Sequence, residues 1–238
     1  MEKGTDGSAD LPVSAYGERE LIKHHDNSGV DTERYRYIAS RLPAAARLLE
    51  VGCFVGYTCR HFKELGHEVV GADISPYVIA EGRKLHPDLD LRCLDACAID
   101  REFGPASFDA VVASEVIEHI LDPGHFLLAV RRVLKPGGKL LLTTQNSNGV
   151  QFRLRMLLGR FRWDPTHLRL YSLPELKDEL TRAGFSLQHH RGISINSRGP
   201  HRLARWLVRV ATDLNPNFCW TWGVEASPKD QPRDPRSF

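Results

Sequence analysis

No stretch of this sequence reaches the roughly 18 apolar residues of a membrane-spanning helix, and residues 1–15 carry no apolar core of a secretory leader. Both absences point to a cytoplasmic chain. Cysteine is sparse: the five residues at 53, 59, 93, 97 and 219 are odd in number and lack CxxC spacing. That argues for free thiols in a reducing cytosol. Cys93 and Cys97 are read as small buried hydrophobes rather than half of a metal site. Charge is nearly balanced, at a formal net +2, which by itself says nothing about partners. The dinucleotide fingerprint G-x-G-x-x-G is also missing.

What is present suits one large domain with insertions: 238 residues, 42% of them hydrophobic. Its centre is Arg47–Gly56. Leu48, Leu49 and Val51 form the short apolar run of a buried parallel strand, Gly52 and Gly56 bracket a tight turn, and a helical pattern follows from Thr58 to Leu65. Strand, glycine turn and helix make the nucleotide-binding corner of a doubly wound sheet, where the ligand lies at the carboxyl end of the first strand. A helix over Asp31–Leu42, stopped by Pro43, precedes it. Further strands are expected at Glu68–Ala72, Leu89–Leu94, Phe108–Ala113 and Lys139–Thr144, and a closing hairpin at Phe185–His190 and Phe218–Ala226. Between the fourth and fifth strands lies a helical stretch broken at Asp122-Pro123-Gly124 and closed by Lys135-Pro136-Gly137-Gly138. Asp73 ends the second strand, 23 positions after Glu50, where an acid accepts both ribose hydroxyls of a nucleoside; Ser75, not Asp73, serves as the helix cap before Pro76.

The sequence Glu50-Val-Gly52-Cys-Phe54-Val-Gly56 resembles the first motif of the class I S-adenosylmethionine-dependent methyltransferases, an acid followed by G-x-G-x-G, with Phe54 in place of the middle glycine. Residues 108–119 (FDAVVASEVIEH), 134–138 (LKPGG), 167–172 (HLRLYS) and 183–185 (AGF) follow in order. Together they are similar to the small methyltransferases that include the ubiquinone-biosynthesis O-methyltransferases and many sugar and natural-product tailoring enzymes. The resemblance covers roughly Arg34–Arg191. It implies an α/β, Rossmann-like, doubly wound, seven-stranded and mostly parallel sheet, with a closing antiparallel hairpin and helical lid insertions at about 150–166 and 192–215. The domain is then 16–226, between disordered ends at 1–15 and 227–238. It implies S-adenosylmethionine as cofactor, held by Glu50, Gly52, Cys53, Gly56, Asp73, Ile74 and Ser114, with Asp95 and Ala96 beside the adenine.

The catalytic candidates gather around Glu115, Glu118 and His119. A helix starting at Ser114 brings Glu115 beside both Glu118 and His119, at i+3 and i+4. Three readings stay open. His119 is a general base for the acceptor hydroxyl, with Glu118 and His167 as further catalytic candidates; or Glu115, Glu118, His119 and His167 bind a divalent metal; or the acids complement a helix start. Residues 151–212 hold 12 Lys or Arg against 4 Asp or Glu. Arg153, Arg155, Arg160 and Arg162 in the first basic segment, and Arg202, Arg205 and Arg209 in the second, suit a phosphate or carboxylate, an anionic membrane surface, or solvated faces. The two segments are expected to flank one cleft. The expected reaction is O-methylation of a small acceptor, a saccharide or a glycosylated or phosphate-bearing natural product. An antibiotic aglycone, an RNA end and a non-catalytic scaffold are the alternatives, with a small molecule preferred to nucleic acid as partner and the oligomeric state left open.

Overall fold

The computed structural model describes residues 32–160, 164–193, 210, 212 and 215–229. Seven strands form one sheet: β1 (Arg47–Val51), β2 (Glu68–Asp73), β3 (Asp90–Cys93), β4 (Phe108–Ser114), β5 (Leu134–Gln145), β6 (Phe185–Ile193) and β7 (Thr221–Pro228), in the order β3-β2-β1-β4-β5-β7-β6. The first five run parallel, and β7 lies antiparallel between β5 and β6. The helices are α1 (Thr32–Ala39), α2 (Tyr57–Glu64), α3 (Pro76–Leu85), α4 (Ile99–Glu102), α5 (Pro123–Val133), α6 (Val150–Leu157) and α7 (Leu173–Arg182).

Because side chains alternate along a strand, β1 splits its apolar run between two cores. Leu49 and Val51 join Val111, Leu142 and Trp222 under α4, α5 and α7. Leu48 joins Val112, Leu141 and Ile193 under α1, α2 and α3. Such two-sided burial is what requires the near-continuous hydrophobic runs seen in the sequence. The chain order reverses between β1 and β4, whose ends lie level through Val51 opposite Ala113. A doubly wound sheet opens a crevice at that place.

Four expectations change. The helix expected to begin at Ser114 does not form: β4 runs through Ser114, Glu115 takes a left-handed φ of 56°, and only one tight turn, Ile117–His119, follows. Asp122-Pro123-Gly124 starts α5 instead of breaking a helix, because the Asp122 carboxylate accepts from His125 N and proline tolerates the first helical position. Strand β7 carries through Ser227 and Pro228, with which Ser186 and Phe185 pair, so the tail does not begin at 227. Cys93 is exposed and Cys97 half-buried, whereas all five thiols are free as expected. The proposed disorder of 1–15, Arg162, Arg202, Arg205, Arg209 and the remainder of the tail lie outside the described residues.

Candidate active site

The turn after β1 is pinned to β2. Gly52 N and Cys53 N both donate to Ala72 O, at 2.8 and 3.0 Å. Gly52 (φ 70°) has no room for a side chain, since an added Cβ would stand 2.5 Å from Val116 Cγ2 of the neighbouring turn. Phe54 sits between the two glycines with a left-handed φ of 51°, and its amide donates to Asp73 Oδ2 at 3.0 Å. Ser75 N donates to the other oxygen of Asp73 at 3.0 Å, while Ser75 Oγ caps α3 by accepting from Val78 N. Asp73 is thus held at the carboxyl end of β2, beside the turn.

Glu50 points inward. It is 4% exposed and accepts the Cys59 thiol at 2.9 Å, and burial pushes its carboxyl up to about 7. Cys53 and Cys59 are buried with it; the hydrogen bond to Cys53, then burial and the Glu50 charge, raise the Cys59 thiol, while burial and the Glu50 charge raise Cys53 against the lowering bond from Cys59. From the β3 side, Asp95 caps the short turn Ala96–Ala98 by accepting from Cys97 N at 2.8 Å, and Ala96 is buried. Ile74 is 49% exposed, an open apolar surface between Asp73 and Cys93, whose thiol donates to Ile74 O.

The turn after β4 meets β5. Ser114 Oγ lies 3.0 Å from Thr143 Oγ1, which donates to Glu115 Oε1 at 3.0 Å; Arg34 of α1 approaches the same oxygen at 3.4 Å. Glu118 is fully buried. Thr144 Oγ1 donates to its Oε2 at 2.9 Å, and Oε1 has no hydrogen-bond partner among the described residues. Burial first, and the charge of Glu115 second, hold this carboxyl well above the usual range. The 164–170 loop closes over it through Leu168 N donating to Glu118 O at 2.9 Å. That loop is itself built by Asp164, whose carboxylate accepts from both the amide and the hydroxyl of Thr166.

The loop also brings the histidines together. His119 Nδ1 lies 2.9 Å from Thr166 O. A carbonyl only accepts, so in this contact Nδ1 carries a proton, and in the neutral ring the lone pair is on Nε2. The His119 and His167 rings stand 4.7 Å apart at 55°. Glu118, His119 and His167 each offer a ligand atom within 4.8 Å of the others. Burial, then His119, lowers the pKa of His167. Glu115 stands outside this trio, tied to Thr143 and Arg34. Sequence reasoning missed Arg34, Thr143, Thr144 and Thr166; the Thr143-Thr144 pair ending a strand beside β4 was a usable signal. Past the turn, α6 and the residues just after it expose Leu154, Met156, Leu157 and Leu158 among Arg153, Arg155 and Arg160, and Arg155 lies 4.9 Å over the Trp220 ring.

A sequence profile described as Methyltransferase domain matches residues 23–190. The ubiquinone biosynthesis O-methyltransferase of Nitrobacter winogradskyi is 33% identical over 183 residues, which is 72% of this chain and 67% of that one. That of a Bradyrhizobium species is 39% identical over 140 residues, 57% of this chain and 55% of its own. Among solved structures, an S-adenosylmethionine-dependent methyltransferase from Mesorhizobium loti shares the fold at a TM-score of 0.61 and 19% identity, over 84% of this chain and 99% of that one. A possible histamine N-methyltransferase from Thermotoga maritima does so at 0.65 and 17%, over 89% and 98%.

Proposed function

Because this chain belongs to the methyltransferase-domain family and is an S-adenosylmethionine-dependent methyltransferase, we propose that it methylates a hydroxyl oxygen of a small acceptor, with His119 as the base. S-adenosylmethionine supplies an electrophilic methyl group on a positively charged sulfur. The residues fit it. The Gly52–Gly56 turn offers close backbone approach, Asp73 a carboxylate oriented by two amides, Ile74 an open apolar surface, and Asp95 with Ala96 a capped turn at the next strand. Cys53 and Glu50 face the interior, so they would serve by shaping the turn, and Ser114 ends β4 next to Ala113, which lies opposite Val51.

The observation that carries the catalytic reading is the His119 Nδ1–Thr166 O contact. It orients the ring and leaves Nε2 as the proton acceptor, which suits removal of a hydroxyl proton near pH 7. Methyl transfer is an in-line displacement, so most of the acceleration comes from holding the acceptor oxygen in line; base assistance adds about 10²–10⁴-fold. Oxygen as the acceptor atom is supported by the name of the curated relatives. An anionic acceptor is supported by Arg153, Arg155 and Arg160 beyond the turn, while its chemical skeleton rests on the sequence expectation of a saccharide or phosphate-bearing natural product.

A metal-assisted variant has one specific observation behind it, the carboxylate and two imidazoles of Glu118, His119 and His167 within mutual reach. This donor set fits a divalent cation, which would replace base assistance by lowering the pKa of a bound hydroxyl. The test is S-adenosylhomocysteine release with matched hydroxyl and amine acceptors, in the presence and absence of EDTA. Turnover of hydroxyl acceptors that survives EDTA and falls at least ~100-fold in His119→Ala is expected. Turnover of amines alone sinks the proposal, and loss with EDTA restored by Mg²⁺, Mn²⁺ or Zn²⁺ selects the metal variant.

A further inference from the structure

Helix α6 is turned the wrong way for a helix that serves its own core. A surface helix ordinarily lays its apolar stripe on the body of the protein and its charges toward water. In α6 the spacing i, i+4, i+7 and i+8 falls on Val150, Leu154, Leu157 and the capping Leu158, and these four are 38%, 52%, 83% and 55% exposed. The helix is fixed to the body from its other side. Phe152 is half-buried, Arg155 lies over the Trp220 ring, and α6 packs on the short turn Pro216–Phe218. At about 100° per residue, Phe152 stands across the helix axis from Leu154 and Leu157. The apolar stripe therefore points away from the fold.

Charge says what such a face fits. Arg153 and Arg155 border the stripe on its two sides, Arg160 follows the helix, and all three are exposed. Arg153 donates to the neutral Asn148 Oδ1 at 2.8 Å, Arg155 rests on an aromatic ring, and none of the three has an ion pair among the described residues. No Asp or Glu occurs between Asp122 and Asp164, so nothing along this segment offsets the positive charge. An apolar stripe flanked by arginines and free of acids is the pattern of a helix lying in the plane of a membrane interface, leucines among acyl chains and guanidinium groups on lipid phosphates. A second copy of the chain fits less well, because a twofold contact through α6 would bring two acid-free basic helices together.

We propose that α6 docks the protein reversibly on an anionic lipid surface, with Leu154, Leu157 and Leu158 inserted and Arg153, Arg155 and Arg160 on lipid phosphates. The helix begins just past β5, and Gly149, its N-terminal cap, lies against Cys219 O. Docking thus holds the carboxyl end of the sheet, the end at which Asp73 stands, beside the lipid. The leucines of the stripe take no part in the cofactor and acceptor readings above, so they test the docking surface apart from those readings.

The experiment is co-sedimentation of the full chain with vesicles of phosphatidylcholine alone and of equal parts phosphatidylcholine and phosphatidylglycerol, with sedimentation velocity in the absence of lipid. The parent should bind the anionic vesicles at least ~10-fold more tightly than the neutral ones, and the preference should shrink as salt rises. Leu154→Gln with Leu157→Gln should weaken binding to the anionic vesicles at least ~10-fold. The melting temperature should stay at the parent value, because both side chains already stand in water. Leu157→Trp, which supplies an interfacial anchor at the most exposed position of the stripe, should tighten binding. Anionic-vesicle binding that ignores all the leucine substitutions is adsorption by charge alone and overturns the proposal, as does failure of the parent to bind either vesicle. A parent that sediments as a dimer, separated by the leucine substitutions and indifferent to lipid, assigns the face to a second copy of the chain and overturns it as well.

Discussion

Glu50 and Gly52 show how two positions of one motif, a residue apart, act by different physics. Glu50 is buried, and its folded pKa of about 7 stands above the ordinary 4.5 because burial disfavours the charge more than the Cys59 and Thr58 hydrogen bonds favour it. Linkage then has a definite sign. Below pH 4.5 the carboxyl is protonated in both states and its contribution is intact; from there up to about 7 only the unfolded chain ionises, and stability is lost. The loss amounts to about 3 kcal/mol. Urea midpoints at pH 5 and pH 8 should therefore separate less in Glu50→Gln than in the parent, and an equal pH response in both would show that Glu50 ionises freely. Gly52→Ala meets two obstacles, a φ of 70° and Val116 Cγ2 at 2.5 Å. It should lower cofactor affinity at least ~10-fold, and pairing it with Val116→Ala should recover only the steric part, because the backbone cost of roughly 1–2 kcal/mol remains. The buried Cys53 and Cys59, with raised thiol pKa values, should resist alkylation in the folded protein, whereas exposed Cys93 should react. Peptide mapping after iodoacetamide treatment decides it.

At the scale of elements, strands were more legible than the turns that carry the chemistry. Every expected strand exists, its bounds shifted by a few residues, because apolar runs and glycine or proline punctuation report burial directly. Residues 114–119 misled for a physical reason. Spacing i, i+3 and i+4 looks the same whether the backbone is helical or turns once through a left-handed residue, and nothing in the letters reveals that Glu115 N is taken by Thr143 O. Glu118, His119 and His167 nonetheless come together, through a loop 45 residues downstream of the turn that sequence could order but not fold. The loop ends at the Ser172–Glu175 capping box of α7, in which Ser172 N donates to Glu175 Oε2 at 2.8 Å and Ser172 Oγ accepts from Glu175 N. Ser172→Ala should cost about 1 kcal/mol. If α7 anchors the loop, the variant should also weaken catalysis more than cofactor binding; unchanged turnover would detach the loop from the cap. For the lid, Gly149 beside Cys219 O and Thr212 beside Gly192, itself against Cys219, put one end of each basic segment at the same place. Arg153→Ala with Arg155→Ala should raise the acceptor KM and flatten its dependence on salt, and acceptor kinetics indifferent to both changes would remove the anionic acceptor.

For the whole molecule, the order β3-β2-β1-β4-β5-β7-β6 divides the sheet into a parallel part that carries the proposed cofactor site and an antiparallel part that closes the sheet. The division is uneven in timing as well as in space. On the ribosome β6 emerges well before β7, yet β7 is its only neighbour in the sheet among the described residues, and β5 also waits for β7 to cover its free edge. Until residues 221–228 leave the exit tunnel, the nascent chain carries the unpaired β6, an open edge on β5 and an open place for Trp222, a side chain only 1% exposed in the finished core. Vectorial synthesis of this sheet is thus completed by an insertion between two strands already made, rather than by an addition at an edge. A chain stopped after Trp220 should be recovered mainly as aggregate, and a separately supplied peptide spanning 221–229 should rescue solubility as the missing central plank, which makes this junction a natural point at which to split the enzyme into complementing halves.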